Sequence, residues 1–498
     1  MHIENRFNLL DEPWIPIADV GRVSLKQLFS EPSYRALGGN PVQKIALTKL
    51  LLAIAQAAHT PADEDAWVAL NAAGMAEKCL AYLEQWRDNF YLYGEKPFLQ
   101  MPAIKAATIQ SFGAVLPQVS TGNTTVLLQS QIERELDDAE RALLLVVLMG
   151  FGLGGKKTDN SVVLSAGYAG KVNDKGKPST GRSGPSLGFM GYMHNFLIAD
   201  TLIKSLWLNL FTQEQIASLN VFEHGLGVPP WHSMPKGENC ETAQALKQSL
   251  MGRLLPLSRF CLLAESGLHY TEGLAHLGHL EGMTDPSVAL NNGGKKNTVM
   301  WVNPERRPWR QLTALLGFMS ASKTGFVCYQ ILEGLTRASQ HTENFGIWSG
   351  GLSVSSNAGE QYVSGTDDYV ESQILFASAW LNETWYENLN AEMSALDAVA
   401  KSVYGCTMSF YKAQMAEGKD QAAMASNLFW QLCEHQFQAL VDACPQGASN
   451  IEKRHLLRKK FAVLAIKSYD SFCPKDTARQ LNAWASARPN LSKYLSQS

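Results

Sequence analysis

The sequence predicts an α+β protein, with a large mixed α/β amino-terminal domain over residues 1–366 and a carboxy-terminal antiparallel four-helix bundle over residues 367–498. Three observations predict it. The 498 residues exceed the roughly 250–300 at which one core usually divides. Short apolar runs broken by Pro and Gly alternate with helical patterns through the first part of the chain. Beyond an irregular tract at residues 349–368 (SGGLSVSSNAGEQYVSGTDD), the apolar periodicity reads as helical to the end.

In chain order, residues 9–17 (LLDEPWIPI) read as a short strand interrupted by Pro13 and Pro16, and residues 45–58 as a buried helix. Between residues 158 and 191 the composition shifts to Gly, Ser, Lys and Pro (GYAGKVNDKGKPSTGRSGPSLG), with little to anchor a core, so this stretch is expected as a long surface loop. In the tail, Leu396, Val399, Val403 and Phe410 mark one helical stripe, and Leu428, Leu432 and Val441 mark another. Gly418, a turn at residues 445–447 and Pro474 separate four segments, the pattern of an antiparallel bundle.

Forty-three basic against 46 acidic residues leave a formal charge of -3, too little positive field for a self-sufficient nucleic-acid binder. Any such contact must be local or shared with partners. The eight cysteines are scattered without a C-x-x-C pair, which indicates neither a zinc site nor a disulfide framework and suits a reducing cytoplasm. No stretch is apolar enough for a membrane span and the first residues are polar, so the protein is expected to be cytoplasmic.

Several segments carry partial chemical signatures. Residues 150–158 (GFGLGGKKT) approach a phosphate-binding loop, but Lys157 stands where that loop needs a hydroxyl for magnesium. A nucleotide-dependent ATPase is the enzyme-class alternative. His269, Glu272, His276, His279 and Glu281 lie close in sequence, but glycines interrupt them and no metal-ligand spacing is present. Ser183 lacks the second glycine of a nucleophile elbow. Lys453, Arg454, Arg458, Lys459 and Lys460 crowd one predicted helix whose buried stripe would be Ile451, Leu456, Leu457, Phe461 and Leu464; they form the densest basic cluster and are candidates for phosphate contact. Lys156, Lys157, Lys171, Lys175 and Lys177 form a second basic region.

Residues 7–17 (FNLLDEPWIPI) resemble the opening N-L-L-x-x-x-W-I-P segment of the CasA large subunit of type I-E CRISPR Cascade. Residues 86–100 (WRDNFYLYGEKPFLQ) are similar to the same family's W-x-x-x-F-Y-L and P-F-x-Q motifs, in the same order. Pro230-Trp231 and Arg307-Pro308-Trp309 follow the family's layout, so the resemblance spans essentially the whole chain.

The resemblance implies a non-catalytic subunit, without cofactor or small-molecule substrate, that works with the other Cascade proteins and a crRNA. It implies recognition of a short flanking motif in double-stranded target DNA, opening of the duplex for RNA pairing, and a surface for a recruited helicase-nuclease. A glycine loop would approach the minor groove; its counterpart here is Gly167, Tyr168, Ala169, Gly170 and Lys171. A polar wedge would fall at Ser355, Ser356, Asn357 and Ala358, with Asn357 where glutamine is usual. Residues 121–129 (TGNTTVLLQ) occupy the place of a further DNA-engaging loop, with Asn123 as its contact. The family's motif-touching lysine has no counterpart between residues 269 and 286, which leaves Lys295 and Lys296 as substitutes. The cysteine-rich turn of some relatives is absent, so no metal is implied. The remaining alternative is a pure scaffold that joins subunits through its bundle.

Overall fold

A computed structural model describes residues 4–116, 135–152, 159, 162, 187–219, 221–320, 325–354 and 369–496. It is mixed helix and strand, and its chain divides into two compact units. The first comprises Met1–Pro304, Val327–His341 and Phe345–Ser372; the second comprises Glu305–Phe326, Thr342–Asn344 and Gln373–Ser498.

In the first unit the helix Pro41–Ala58 starts on a reciprocal cap, in which Asn40 accepts from the Gln43 amide and Gln43 accepts from the Asn40 amide. It is buried along most of its length, with Ile45, Leu47, Leu50, Leu51 and Ile54 inaccessible to solvent. The helix Glu64–Gln85 packs on it, and Trp67 stacks on Trp207 at 3.9 Å between ring centres.

Residues 9–17 do not form one strand. Two short strands, Arg6–Asn8 and Ile15–Ile17, flank a turn. Asn8 builds that turn: its carbonyl accepts from Asp11 and Glu12, and its side chain accepts from Leu10 at 2.9 Å. Arg6–Asn8 pairs antiparallel with Tyr91–Tyr93. The two sequence motifs are therefore hydrogen-bonded to each other, and Leu9, Trp14, Phe90, Leu92 and Phe98 are core residues. Buried Gln100 bridges from the Leu92 carbonyl to the Leu263 amide.

The strand Tyr369–Ala377 was not foreseen, since everything beyond residue 368 read as helix. Its burial alternates, with Val370, Ile374 and Phe376 inside, which is the two-residue period of a half-buried strand. The chain passes from the first unit to the second within it.

The second unit holds helices Glu383–Ala413, Lys419–Asp442, Ala448–Phe472, Ala478–Ser486 and Ser492–Leu495. The breaks fall at Gly418, at 443–447 and around Pro474. The three long helices pack on one another, and Ala478–Ser486 packs on Glu383–Ala413. Glu305–Phe326 joins this unit because Trp309 is buried against Trp430 and Phe437, the latter at 4.6 Å between ring centres.

Candidate nucleic-acid interface

The strands His194–Ile198 and Asn344–Leu352, the latter in the first unit from Phe345 onward, are antiparallel neighbours, with Gly350 opposite His194. The amino end of one strand and the carboxy end of the other thus lie at the same end of the sheet. Leu187–Met193 leads into the first strand from residues 163–186, and the second runs out through Val354 towards residues 355–368. Both irregular tracts therefore have a foot here. Gly167, Tyr168, Ala169, Gly170, Lys171, Ser355, Ser356, Asn357, Ala358 and Asn123 themselves lie outside the described residues.

The two feet touch. The Leu352 amide donates to the Met190 carbonyl at 3.4 Å. A Cβ on Gly191 would sit 2.8 Å from Val354 Cγ2, and one on Gly351 would sit 3.0 Å from the Tyr192 carbonyl oxygen. A side chain at either glycine would force its neighbours, Phe189 and Val354 at Gly191 and Val302 at Gly351, to shift. The other foot of the glycine-rich tract, Gly152, bridges Phe189, and Gly188 sits beside it at a φ of +79°.

A hairpin adjoins the glycine-tract foot through the chain that follows its second strand. Leu290–Asn291 pairs antiparallel with Thr298–Val299, and its tip carries Lys295 and Lys296, both exposed. Asn291 shapes the tip by accepting from the Gly293 amide at 3.0 Å. The strand continues along the glycine-tract foot: Met193 donates to the Met300 carbonyl at 3.0 Å, and Val302 donates to the Gly191 carbonyl at 2.8 Å. Leu187, Tyr192, Met283, Val288, Leu290 and Val299 form the apolar core below, with Phe189 and Trp301 against it.

Beneath lies a buried polar network. Lys49 donates to Asp285 at 2.5 Å and to the Arg253 carbonyl at 3.1 Å. Asp285 also accepts from the Ser287 amide and hydroxyl. Because that hydroxyl proton points to Asp285, His194 Nδ1 must donate to Ser287 Oγ, 2.9 Å away. Among the described residues, His194 Nε2 is buried without a hydrogen-bond partner. Burial holds the His194 imidazole neutral, pushing its pKa down to about 3, and nearby Lys49 acts in the same direction. For Asp285 burial favours the neutral acid, but Lys49, His194 and Ser287 outweigh it and its pKa is lowered.

This Asp-Ser-His grouping is not arranged as a nucleophilic triad. All three side chains are buried, and the hydroxyl is directed to the carboxylate rather than to the imidazole. Helix Asp138–Gly150 ends at the first glycine of the phosphate-loop resemblance, whose residues 153–158 lie outside the described residues. The histidines are engaged separately: His269 with the Ala107 carbonyl, His276 with the Pro256 carbonyl, and His279 with the Tyr192 hydroxyl. Glu272 pairs with Arg259 at 2.7 Å. Among the described residues no three His, Cys, Asp or Glu side chains are grouped to hold a metal. No described helix is long and apolar enough to cross a membrane.

In the second unit the basic cluster on Ala448–Phe472 separates into two groups. Arg458 clamps buried Glu392 at 2.5 and 3.0 Å, and Arg454 lies 3.7 Å from the same carboxylate. Lys453, Lys459 and Lys460 remain exposed. The expected buried stripe is correct for Leu457 and Phe461, whereas Ile451 and Leu456 are half exposed because Arg454 and Arg458 occupy the inward face.

Sequence reasoning did not find Lys49, His194, Asn195, Asp285 or Ser349. Their partners are distant in sequence, as in the 236-residue separation of Lys49 and Asp285, and no local spacing signals them.

The family model described as CRISPR-associated protein Cse1 matches residues 8–468. A curated Thermus thermophilus protein, described as CRISPR-associated protein CasA/Cse1, is 30% identical over 164 residues, 30% of this chain and 32% of the relative. That match spans about a third of the relative's length. The crystal structure of Thermobifida fusca Cse1 superposes with a TM-score of 0.76 at 20% identity, covering 97% of this chain and 96% of that one. The crystal structure of Thermus thermophilus CasA gives 0.73 at 20% identity, covering 98% and 99%. A chain of a structure described as a CRISPR RNA-guided surveillance complex gives 0.68 at 16% identity, covering 97% and 99%. At these identities the likeness shows the fold.

Proposed function

The chain belongs to the CRISPR-associated protein Cse1 family, and from that premise we propose that it is the large, non-catalytic subunit of a crRNA-guided Cascade complex that reads a flanking motif in double-stranded DNA and helps open the duplex. The observation that carries the proposal is the contact, at one end of a sheet, of the glycine-tract foot with the amide-tract foot, with the chain that leaves the Lys295–Lys296 hairpin running along the former.

On this proposal Gly167 and Gly170, with Tyr168, Ala169 and Lys171, bring backbone groups to base edges in the minor groove. Ser355, Ser356, Asn357 and Ala358 enter beneath the motif and separate the first base pairs, at a cost of a few kcal/mol per unstacked step. Lys295 and Lys296 hold the adjacent phosphates, and Asn123 contributes from its own loop. The rigid polar network below keeps the feet in register. Helices Glu383–Ala413, Lys419–Asp442, Ala448–Phe472 and Ala478–Ser486 serve as the four-helix bundle that joins other subunits. After RNA pairing the subunit presents a surface to a helicase-nuclease, and the setting is the cytoplasm.

The test is DNA affinity of assembled complexes carrying Asn357→Ala or Gly167→Asp. Normal assembly with weakened duplex binding supports DNA inspection. Normal assembly with unchanged binding leaves a scaffold only.

A further inference from the structure

We propose that the outer seam between helices Lys419–Asp442 and Ala448–Phe472 is a docking groove for an acidic amphipathic helix of a partner protein. The two helices pack on each other, and their seam opens outward as a groove of about 500 Å³. Its floor is aliphatic, from Leu432, Val463 and Leu464, and its rim is basic, from Lys459, Lys460 and His435. No Asp or Glu is among its lining residues.

Helical periodicity alone would turn Leu432 inward. The helix instead packs through Ala425, Phe429, Cys433 and Phe437, which leaves Leu432 at the seam. On the facing helix Val463 is 67% exposed and Leu456, two turns earlier, is 53% exposed. Side chains at this spacing form a stripe that a third helix can cover. Helices of 24 and 25 residues give a seam of about 36 Å, long enough for a partner helix of several turns.

The charges select the occupant. Arg454 and Arg458 are held by Glu392, whereas Lys459 and Lys460 flank the aliphatic floor. A helix with aliphatic residues at i, i+3 or i+4 and i+7, bordered by Asp or Glu, matches both features. Nucleic acid matches only the rim: no Phe, Tyr or Trp lines the groove to stack a base, and aliphatic groups gain nothing from phosphate.

The test titrates the full chain with a fluorescent synthetic helical peptide carrying Leu at i, i+4 and i+7 between Glu residues. Comparators are the same peptide with Lys for Glu and a single-stranded oligonucleotide of equal charge. Binding of the Glu peptide alone, weakened at least tenfold both by Val463→Asp and by Lys459→Glu with Lys460→Glu, is the expected result. The variants change exposed positions, and an unaltered melting temperature verifies folding. Equal binding of the Lys peptide, no Glu-peptide binding, or oligonucleotide binding that responds to charge reversal but not to Val463→Asp overturns the proposal. DNA inspection is measured separately and stands or falls on its own.

Discussion

The Ser349 hydroxyl donates to Asn195 Oδ1 at 2.7 Å, across the two strands from whose ends the glycine-rich and amide-bearing tracts extend. The same amide donates to the Ser287 and Met193 carbonyls, so one fully buried side chain ties both strands to the turn before the lysine hairpin. Asn195→Leu is expected to cost about 2–4 kcal/mol, because the partners left behind are buried polar groups. Ser349→Ala removes one partner and should cost about 1 kcal/mol. Urea unfolding measures both, and equal losses would contradict this ordering.

His194 makes stability pH-dependent. In the unfolded chain its imidazole takes up a proton near the ordinary 6.5, whereas in the fold, where burial and Lys49 disfavour the cation, it resists until about 3. Between these values the unfolded state binds the extra proton, so acid favours unfolding. The contribution is complete above pH 6.5 and is lost as pH falls towards 3. Melting curves between pH 7.5 and 4.5 should therefore decline less steeply for His194→Gln. Parallel declines would show that other groups set the slope.

Glu392 and its two arginines link Glu383–Ala413 to Ala448–Phe472. Glu392→Ala strands two largely buried guanidinium groups and is expected to cost about 3–5 kcal/mol. Arg458→Gln should destabilise the chain while leaving the salt dependence of DNA binding unchanged. A shallower salt dependence in Arg458→Gln would return this residue to the phosphate-contacting set.

Lys295→Ala and Lys296→Ala should each weaken DNA binding across all flanking sequences. If each neutralises a phosphate, the slope of log affinity against log salt falls by about 0.9 per lysine. Titration of assembled complexes over a range of salt measures this, and unchanged slopes would remove the hairpin from the interface.

The sequence was most legible where chemistry is local. Helix breaks at Gly418 and near Pro474, and the burial of Leu396, Val399, Val403 and Phe410, follow from periodicity and turn residues. The Phe7–Ile17 and Trp86–Gln100 motifs identify the family yet place residues such as Leu9, Trp14, Phe90, Phe98 and Gln100 in the core: Trp14 donates to the Leu9 carbonyl, and Gln100 bridges strands. Long-range pairing was not legible. Nothing in a run of Lys and Arg says that Arg454 and Arg458 face Glu392, and this pairing is what turns Leu456 outward. Tyr369–Ala377 was missed because its alternation is short and follows directly on an irregular tract.

The most direct test of the central claim is binding of the reconstituted guide complex, with and without this chain, to duplexes carrying randomised flanking motifs at a fixed salt concentration. Motif-dependent binding that requires the chain is the predicted result. Equal binding without it would contradict DNA inspection and leave the chain a scaffold.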